Sequence, residues 1–137
     1  MDKSPIPAAS VLIVHLDKIL FIQRNNEPGK SKWAFPGGSL KKDKSFEGAA
    51  LREVKEEIGL DVEIKRLLGV YLTWEYDPNY EIHCFVAESR ELEIKPSFEI
   101  MDWKWCGPEE GLNLDLTSTT RQALEDFLKI KATPLFR

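Results

Sequence analysis

Three neighbouring glutamates carry the strongest chemical signal in this chain. In Arg52-Glu53-Val54-Lys55-Glu56-Glu57-Ile58-Gly59-Leu60, Glu53, Glu56 and Glu57 stand at i, i+3 and i+4. At about 100° per residue they project from one sector of a helix. Leu51, Val54 and Ile58 fall on another sector, suited to packing against a sheet. Like charges at this spacing repel by only about 0.2–0.5 kcal/mol per pair, so a solvated acidic face accounts for the triplet as readily as a site does. A cation held between the carboxylates turns that repulsion into coordination. Mg²⁺ suits such a place, because it prefers carboxylate oxygens together with retained waters and phosphate oxygens. Gly37-Gly38 lies just upstream. Glycines permit positive φ and close approach of a ligand, although a tight turn explains the pair equally well.

The elements that must position these residues can be read from pattern. Ala8 to His15 is apolar and β-branched, Leu16-Asp17-Lys18 is a turn, and Ile19 to Gln23 is the partner strand of a hairpin. Asn25 to Ser31 is a loop, and Trp33-Ala34-Phe35 is a short extended piece ended by Pro36-Gly37-Gly38. Ser39 to Lys44 is polar and lysine-rich and should be exposed. Ser45 is the expected N-cap of a helix over Phe46 to Ile58, with Glu47 in its first turn and Gly59 as its left-handed C-cap. Val62 to Tyr76 holds one or two strands, Asp77-Pro78-Asn79 a turn, and Tyr80 to Ala87 another strand. Leu92 to Ile94 is a candidate short strand, and Asp102 to Cys106 alternates like a half-buried one. The last helix should run from Thr117 or Ser118 to Lys129, with Ala123, Leu124, Phe127 and Leu128 on one face. Strands and helices mix without strict βαβ alternation, which predicts a mixed sheet flanked by helices.

The bulk properties narrow the function classes. A chain of 137 residues that is 42% hydrophobic fits one domain with one real core, residues 1–137. A net charge of -4 argues against a duplex nucleic-acid partner, though not against a small anionic substrate met through a cation. Cys84 and Cys106 form neither a disulfide framework nor a zinc spacing. The N-terminus lacks a basic segment followed by a long apolar one, and no apolar stretch approaches the roughly 20 residues of a membrane span. The expectation is a cytoplasmic protein with no membrane association, either monomer or homodimer. His15 and His83 sit in apolar strands and are expected to be structural.

The stretch Gly38 to Leu60 resembles the signature of the Nudix hydrolases, G-x5-E-x7-R-E-U-x-E-E-x-G-U with U a bulky aliphatic. Gly38, Arg52, Glu53, Val54, Glu56, Glu57, Gly59 and Leu60 match in register, and Lys44 stands where the pattern calls for Glu. The apolar N-terminal hairpin, Trp33-Ala34-Phe35-Pro36-Gly37-Gly38 and Lys104-Trp105 are also similar to the family. The resemblance implies an α/β/α sandwich with a mixed β-sheet. It implies Mg²⁺, or alternatively Mn²⁺, bound by the Gly37 carbonyl with Glu53, Glu56 and Glu57. Arg52 would orient the glutamates, and Glu53 is the candidate general base. Glu99, in a loop before Trp103 to Trp105, is a second catalytic candidate, with surface decoration equally open. Lys44 would weaken the site or contact substrate phosphate, and Glu47, one turn further along, would replace the missing carboxylate in part.

The implied reaction is hydrolysis of a pyrophosphate bond in a small nucleotide substrate, ADP-ribose-like or a nucleoside triphosphate. Asp77-Pro78 resembles a turn of the ADP-ribose hydrolases in the family. Trp33, Tyr71, Trp74, Tyr76 and Tyr80 are candidates for stacking a base, strand packing being the alternative for each. Lys30, Lys32, Lys41, Lys42 and Lys44 could attract phosphates, or simply keep a loop solvated. The competing reading is a Nudix-like nucleotide-binding sensor or scaffold with weak or no turnover.

Overall fold

A computed structural model describes residues 3–132. In chain order the elements are β1 (Ile6–His15), β2 (Lys18–Arg24), β3 (Trp33–Ala34), β4 (Gly37–Ser39), α1 (Phe46–Ile58), β5 (Glu63–Leu72), β6 (Tyr80–Glu88), β7 (Ile100–Cys106), α2 (Pro108–Gly111) and α3 (Ser118–Ala132). Side-chain alternation divides the apolar residues of the sheet between two faces. Ala9, Val11 and Ile13 of β1 and Leu20 and Ile22 of β2 pack with Ala49, Ala50, Val54 and Ile58 of α1. Leu12, Ile19 and Phe21 pack on the other face with Ala123 and Leu124 of α3. The result is the expected mixed sheet between helical layers.

The strand order is β3-β2-β1-β6-β5, with β4 added to β1 and β7 to β2. β1 runs parallel to β6 and antiparallel to β2 and β4. The pairing of β1 and β2 is confined to Val14↔Ile19 and His15↔Lys18. Beyond it the two strands take different partners: Ala8, Ala9 and Ser10 pair with β4, while Ile22 and Gln23 pair with β3. The hairpin therefore splays open, and the β3–β4 segment is threaded into the gap. This divergence makes room for a cleft at that end of the sheet.

The glutamate helix begins and ends as its caps dictate. The Ser45 hydroxyl accepts the Gly48 N–H at 2.9 Å, and Gly59, at φ 72°, donates to the Lys55 carbonyl. Each such cap is worth about 1 kcal/mol.

Several expectations are corrected. Gly37 and Gly38 form a strand rather than a turn, and neither has positive φ. Leu51 is 44% exposed, and Ala50 takes its expected place against the sheet. The Val62–Tyr76 region holds one strand, β5, within the one or two expected, and it stops at Leu72. Leu92 to Ile94 is not a strand; Ile94 reaches the core from a loop. β7 is exposed along most of its length instead of alternating. The short α2 had no periodic signal. Among the described residues no helix is long and apolar enough to cross a membrane, and both cysteines are free and buried.

Candidate active site

A cleft of about 310 Å³ opens where β1 and β2 diverge. One end is built from β4 and α1. Glu53 and Glu57 line it and are only 7% and 5% exposed, so two of the three glutamates belong to the buried side of the helix. They fit there because Gly37 and Gly38, the residues of β4 nearest them, have no side chains. A Cβ on Gly38 would sit 2.5 Å from Glu53 Oε1, and a Cβ on Gly37 would overlap the Ala9 carbonyl oxygen. The glycine pair is thus required by close approach between strand, strand and carboxylate. Glu56, with a side chain 52% exposed, stands outside the cleft wall.

Arg52 organises the outer edge of this end. Its Nη1 donates to Glu53 Oε2 at 2.7 Å and to Glu56 Oε1 at 2.8 Å. Its Nε and Nη2 donate to the two carboxylate oxygens of Asp43 at 2.9 and 2.8 Å. The orienting role expected of Arg52 therefore has a geometry. Asp43 lies in the segment read as exposed, yet its side chain is 11% exposed. The Arg52 guanidinium holds the Asp43 carboxyl down at about 2, and the same pairing raises Arg52. Lys44 points to solvent and does not line the cleft, whereas Lys41 does. Glu47 is exposed and also off the cleft wall.

Glu57 accepts the Gly37 N–H at 2.8 Å, and no lysine or arginine pairs with it among the described residues. Burial, and then the charge of Glu53, push its carboxyl up to about 8. A buried carboxylate in this state favours a proton or a cation. Among the described residues no three acidic, histidine or cysteine side chains converge closely enough to cage an ion unaided. The donor set of Glu53 and Glu57 still fits a hard divalent ion, whose shell ordinarily includes water and phosphate oxygens.

Glu99 is delivered to the same end by backbone bonds. Lys95 N–H donates to the Ile58 carbonyl and Ser97 N–H to that of Glu57, which ties the loop to the end of α1. The Glu99 carbonyl accepts from Asn25 N–H at 3.0 Å, and its carboxylate accepts from Asn26 Nδ2 at 3.3 Å. Glu99 lines the cleft, and its charge contributes to raising Glu57.

The opposite end is made of residues distant in sequence. Tyr76 and Tyr80 line it, their rings edge-to-face at 6.1 Å. Arg24 lines the cleft as well, held by a 2.8 Å bond from its Nε to the Pro28 carbonyl, and its charge reaches both Glu57 and Tyr76. Thr117 to Thr120, at the start of α3, complete the wall. Trp33 does not line the cleft. Its ring packs into the α3-side core, while its backbone pairs with Asp115 and Thr117 and so fixes the threonine segment. Tyr71 is buried and donates to Asp126, and Trp74 is 74% exposed and off the cleft wall. His83 stacks on Phe46 and His15 bonds the Ser89 carbonyl, both structural placements. Asp43, Arg24 and the threonines were not singled out for chemistry by sequence, whereas Lys41 was among the lysines read as able to attract phosphates. A carboxylate one position before the displaced Lys44 was the one available hint.

A glycine strand buttressing a glutamate helix, inside a mixed sheet covered by helices, defines a Nudix-type domain. The NUDIX domain model matches residues 4–127, and the chain belongs to that family. A protein of Methanocaldococcus jannaschii named ADP-ribose pyrophosphatase is 43% identical over 60% of this chain and 48% of its own length. The Escherichia coli CTP pyrophosphohydrolase is 25% identical over 93% of this chain and 94% of its own. The chain spans about half the length of the first curated relatives it matches. In fold it is similar to the MutT protein of Methanosarcina mazei, with TM-score 0.83, 23% identity, and coverage of 97% of this chain and 99% of that one. Nudix hydrolases generally use a divalent metal.

Proposed function

We propose that this protein is a Mg²⁺-dependent Nudix pyrophosphohydrolase that cleaves a pyrophosphate bond in a nucleoside diphosphate derivative, with ADP-ribose-like compounds as the first substrates to test and nucleoside triphosphates second. The observation that carries the reading is the pair of buried carboxylates, Glu53 and Glu57, at one end of a cleft whose other end offers two tyrosines and which Arg24 also lines. The similarity to an ADP-ribose pyrophosphatase supports the order of substrates.

In this reading Gly37, through its carbonyl, with Glu53, Glu56 and Glu57, holds the cation. When bound, such a cation screens phosphate charge and acidifies water. The protein's own residues do the rest. Arg52 restrains Glu53 and Glu56 in one orientation. Glu53 accepts the proton of the attacking water, with Glu99 as second candidate, since both face the cleft. Arg24 attracts phosphate, and Tyr76 offers its ring to the base or sugar. Lys44 and Trp33, both off the cleft wall, are weaker candidates for substrate contact.

The test is product analysis with pure protein, Mg²⁺ or Mn²⁺, and a panel of ADP-ribose, dinucleoside polyphosphates, nucleotide sugars and nucleoside triphosphates. Hydrolysis that disappears with EDTA and with Glu57→Gln supports the proposal. Tight binding of a panel member without products would instead make the protein a nucleotide sensor.

A further inference from the structure

The displaced charge in the signature has a structural counterpart. The family pattern places a carboxylate at position 44, and this chain has Lys44, exposed and off the cleft wall. The neighbouring Asp43 has the opposite placement. Its side chain is 11% exposed and takes three hydrogen bonds, two from Arg52 and one from Lys41 N–H at 3.1 Å. Of the Arg52 donors, one edge is spent on Asp43 and Nη1 on Glu53 and Glu56.

We infer that Asp43 is the positioning residue for the glutamate cluster, supplying one position early the carboxylate that Lys44 lacks. Arg52 carries one positive charge and faces three carboxylates, those of Asp43, Glu53 and Glu56. A bidentate guanidinium–carboxylate pair is the strongest and most directional contact available to it. Asp43 takes that pair, which leaves Glu53 and Glu56 with single contacts from one nitrogen and with oxygens to spare for a cation. Without Asp43, the same guanidinium is free to turn and close bidentately on Glu53 or Glu56, in direct competition with the ion. Asp43 also fixes the 41–43 turn through Lys41 N–H, and the Arg52 Nη2 bond to the Ser39 carbonyl at 3.3 Å ties the segment after β4 to α1. The segment after the glycine strand is thereby tied to the glutamate helix through Arg52.

This inference rests on the cation-binding reading above, and its test separates the two. Mn²⁺ binding to the metal-free protein, followed by the electron paramagnetic resonance of free Mn²⁺, needs no turnover. Loss of an outer-shell partner ordinarily weakens metal binding about 10–100-fold, and that is the range expected for Asp43→Asn and Asp43→Ala. Asp43→Asn keeps the side-chain shape, so a folded variant is available even if Asp43→Ala loses its circular dichroism. Adding Lys44→Glu to Asp43→Ala should recover most of the lost affinity, a result that a role in loop stability alone does not produce. Because Asp43 acts through Arg52, the double variant Asp43→Ala/Arg52→Ala should bind no more weakly than Arg52→Ala alone. Wild-type affinity in a folded Asp43→Asn protein would overturn the inference, and so would a failure of Lys44→Glu to restore binding. Absence of Mn²⁺ binding in the wild-type protein would overturn the cation reading itself and this inference with it.

Discussion

The two ends of the cleft are built in different ways. The glutamate end comes from one continuous stretch, β4 through α1, locked by a capped helix, the side-chain-free Gly37-Gly38 pair and the Arg52 fork. The tyrosine end is assembled from the 24–28 loop, the 73–80 segment and the start of α3, which meet only in the folded protein. In the proposed function, the reaction chemistry therefore falls to local spacing that tolerates little change. Recognition in that reading falls to three segments distant in sequence, two of which are joined where Ser118 Oγ donates to Glu75 Oε1 at 3.1 Å. Within one fold this division allows the substrate to change while the reaction stays the same.

Substitutions can break or sharpen that contrast. The largest effect is expected at the glutamate end. Glu53→Gln should lower kcat about 10²–10⁴-fold, the usual worth of a general base, while the variant stays folded by circular dichroism. An unchanged kcat would move the role to Glu99. At the other end, Tyr76→Ala should raise KM about tenfold with kcat nearly unchanged, because stacking of a base on an aromatic ring is worth about 1–3 kcal/mol. A matching fall in kcat would mean that the two ends are not separable.

A smaller effect concerns stability and pH. The Glu57 carboxyl rises from its ordinary 4.5 to about 8 in the folded protein, so folding takes up a proton between these values. Stability of the metal-free protein should therefore fall as pH climbs from about 4.5 to about 8. Melting temperature in EDTA should drop by a few degrees across that window, saturating Mg²⁺ should offset the drop, and Glu57→Gln should abolish it. The smallest effect is expected at Lys44. Outside the cleft, Lys44→Ala should change KM by no more than about twofold, in line with other exposed positions. A larger rise in KM would bring Lys44 into substrate contact after all.

The same contrast explains what could be read from the chain. Helix α1 was legible over Phe46 to Ile58 because Ser45, Gly59 and the apolar spacing are local signals. The glutamates and Arg52 were legible because the signature is contiguous. The burial of Glu53 and Glu57 was not, since a helical pattern alone does not say that glycines face it. Gly37-Gly38 looked like a turn for the same reason: its pairing with Ala9 and Ser10 is a tertiary contact. Asp43 was hidden inside a lysine-rich run, and only the fold shows Arg52 reaching back to it. Arg24 and Thr117 to Thr120 carry no mutual spacing, so nothing before folding connects them to the tyrosines. Trp33 drew attention as an aromatic beside the glycines, but alternation sends its ring into the α3-side core.

The central claim is that Glu53 and Glu57, with Glu56 at their edge, share a divalent cation that meets the substrate's phosphates. The most direct test is an anomalous difference map from crystals soaked in Mn²⁺ with a non-hydrolysable ADP-ribose analogue. The account predicts a strong peak bounded by these carboxylates and a phosphate oxygen. Well-ordered analogue in the cleft, with no peak near the glutamates and Arg52 still closing over them, would contradict it.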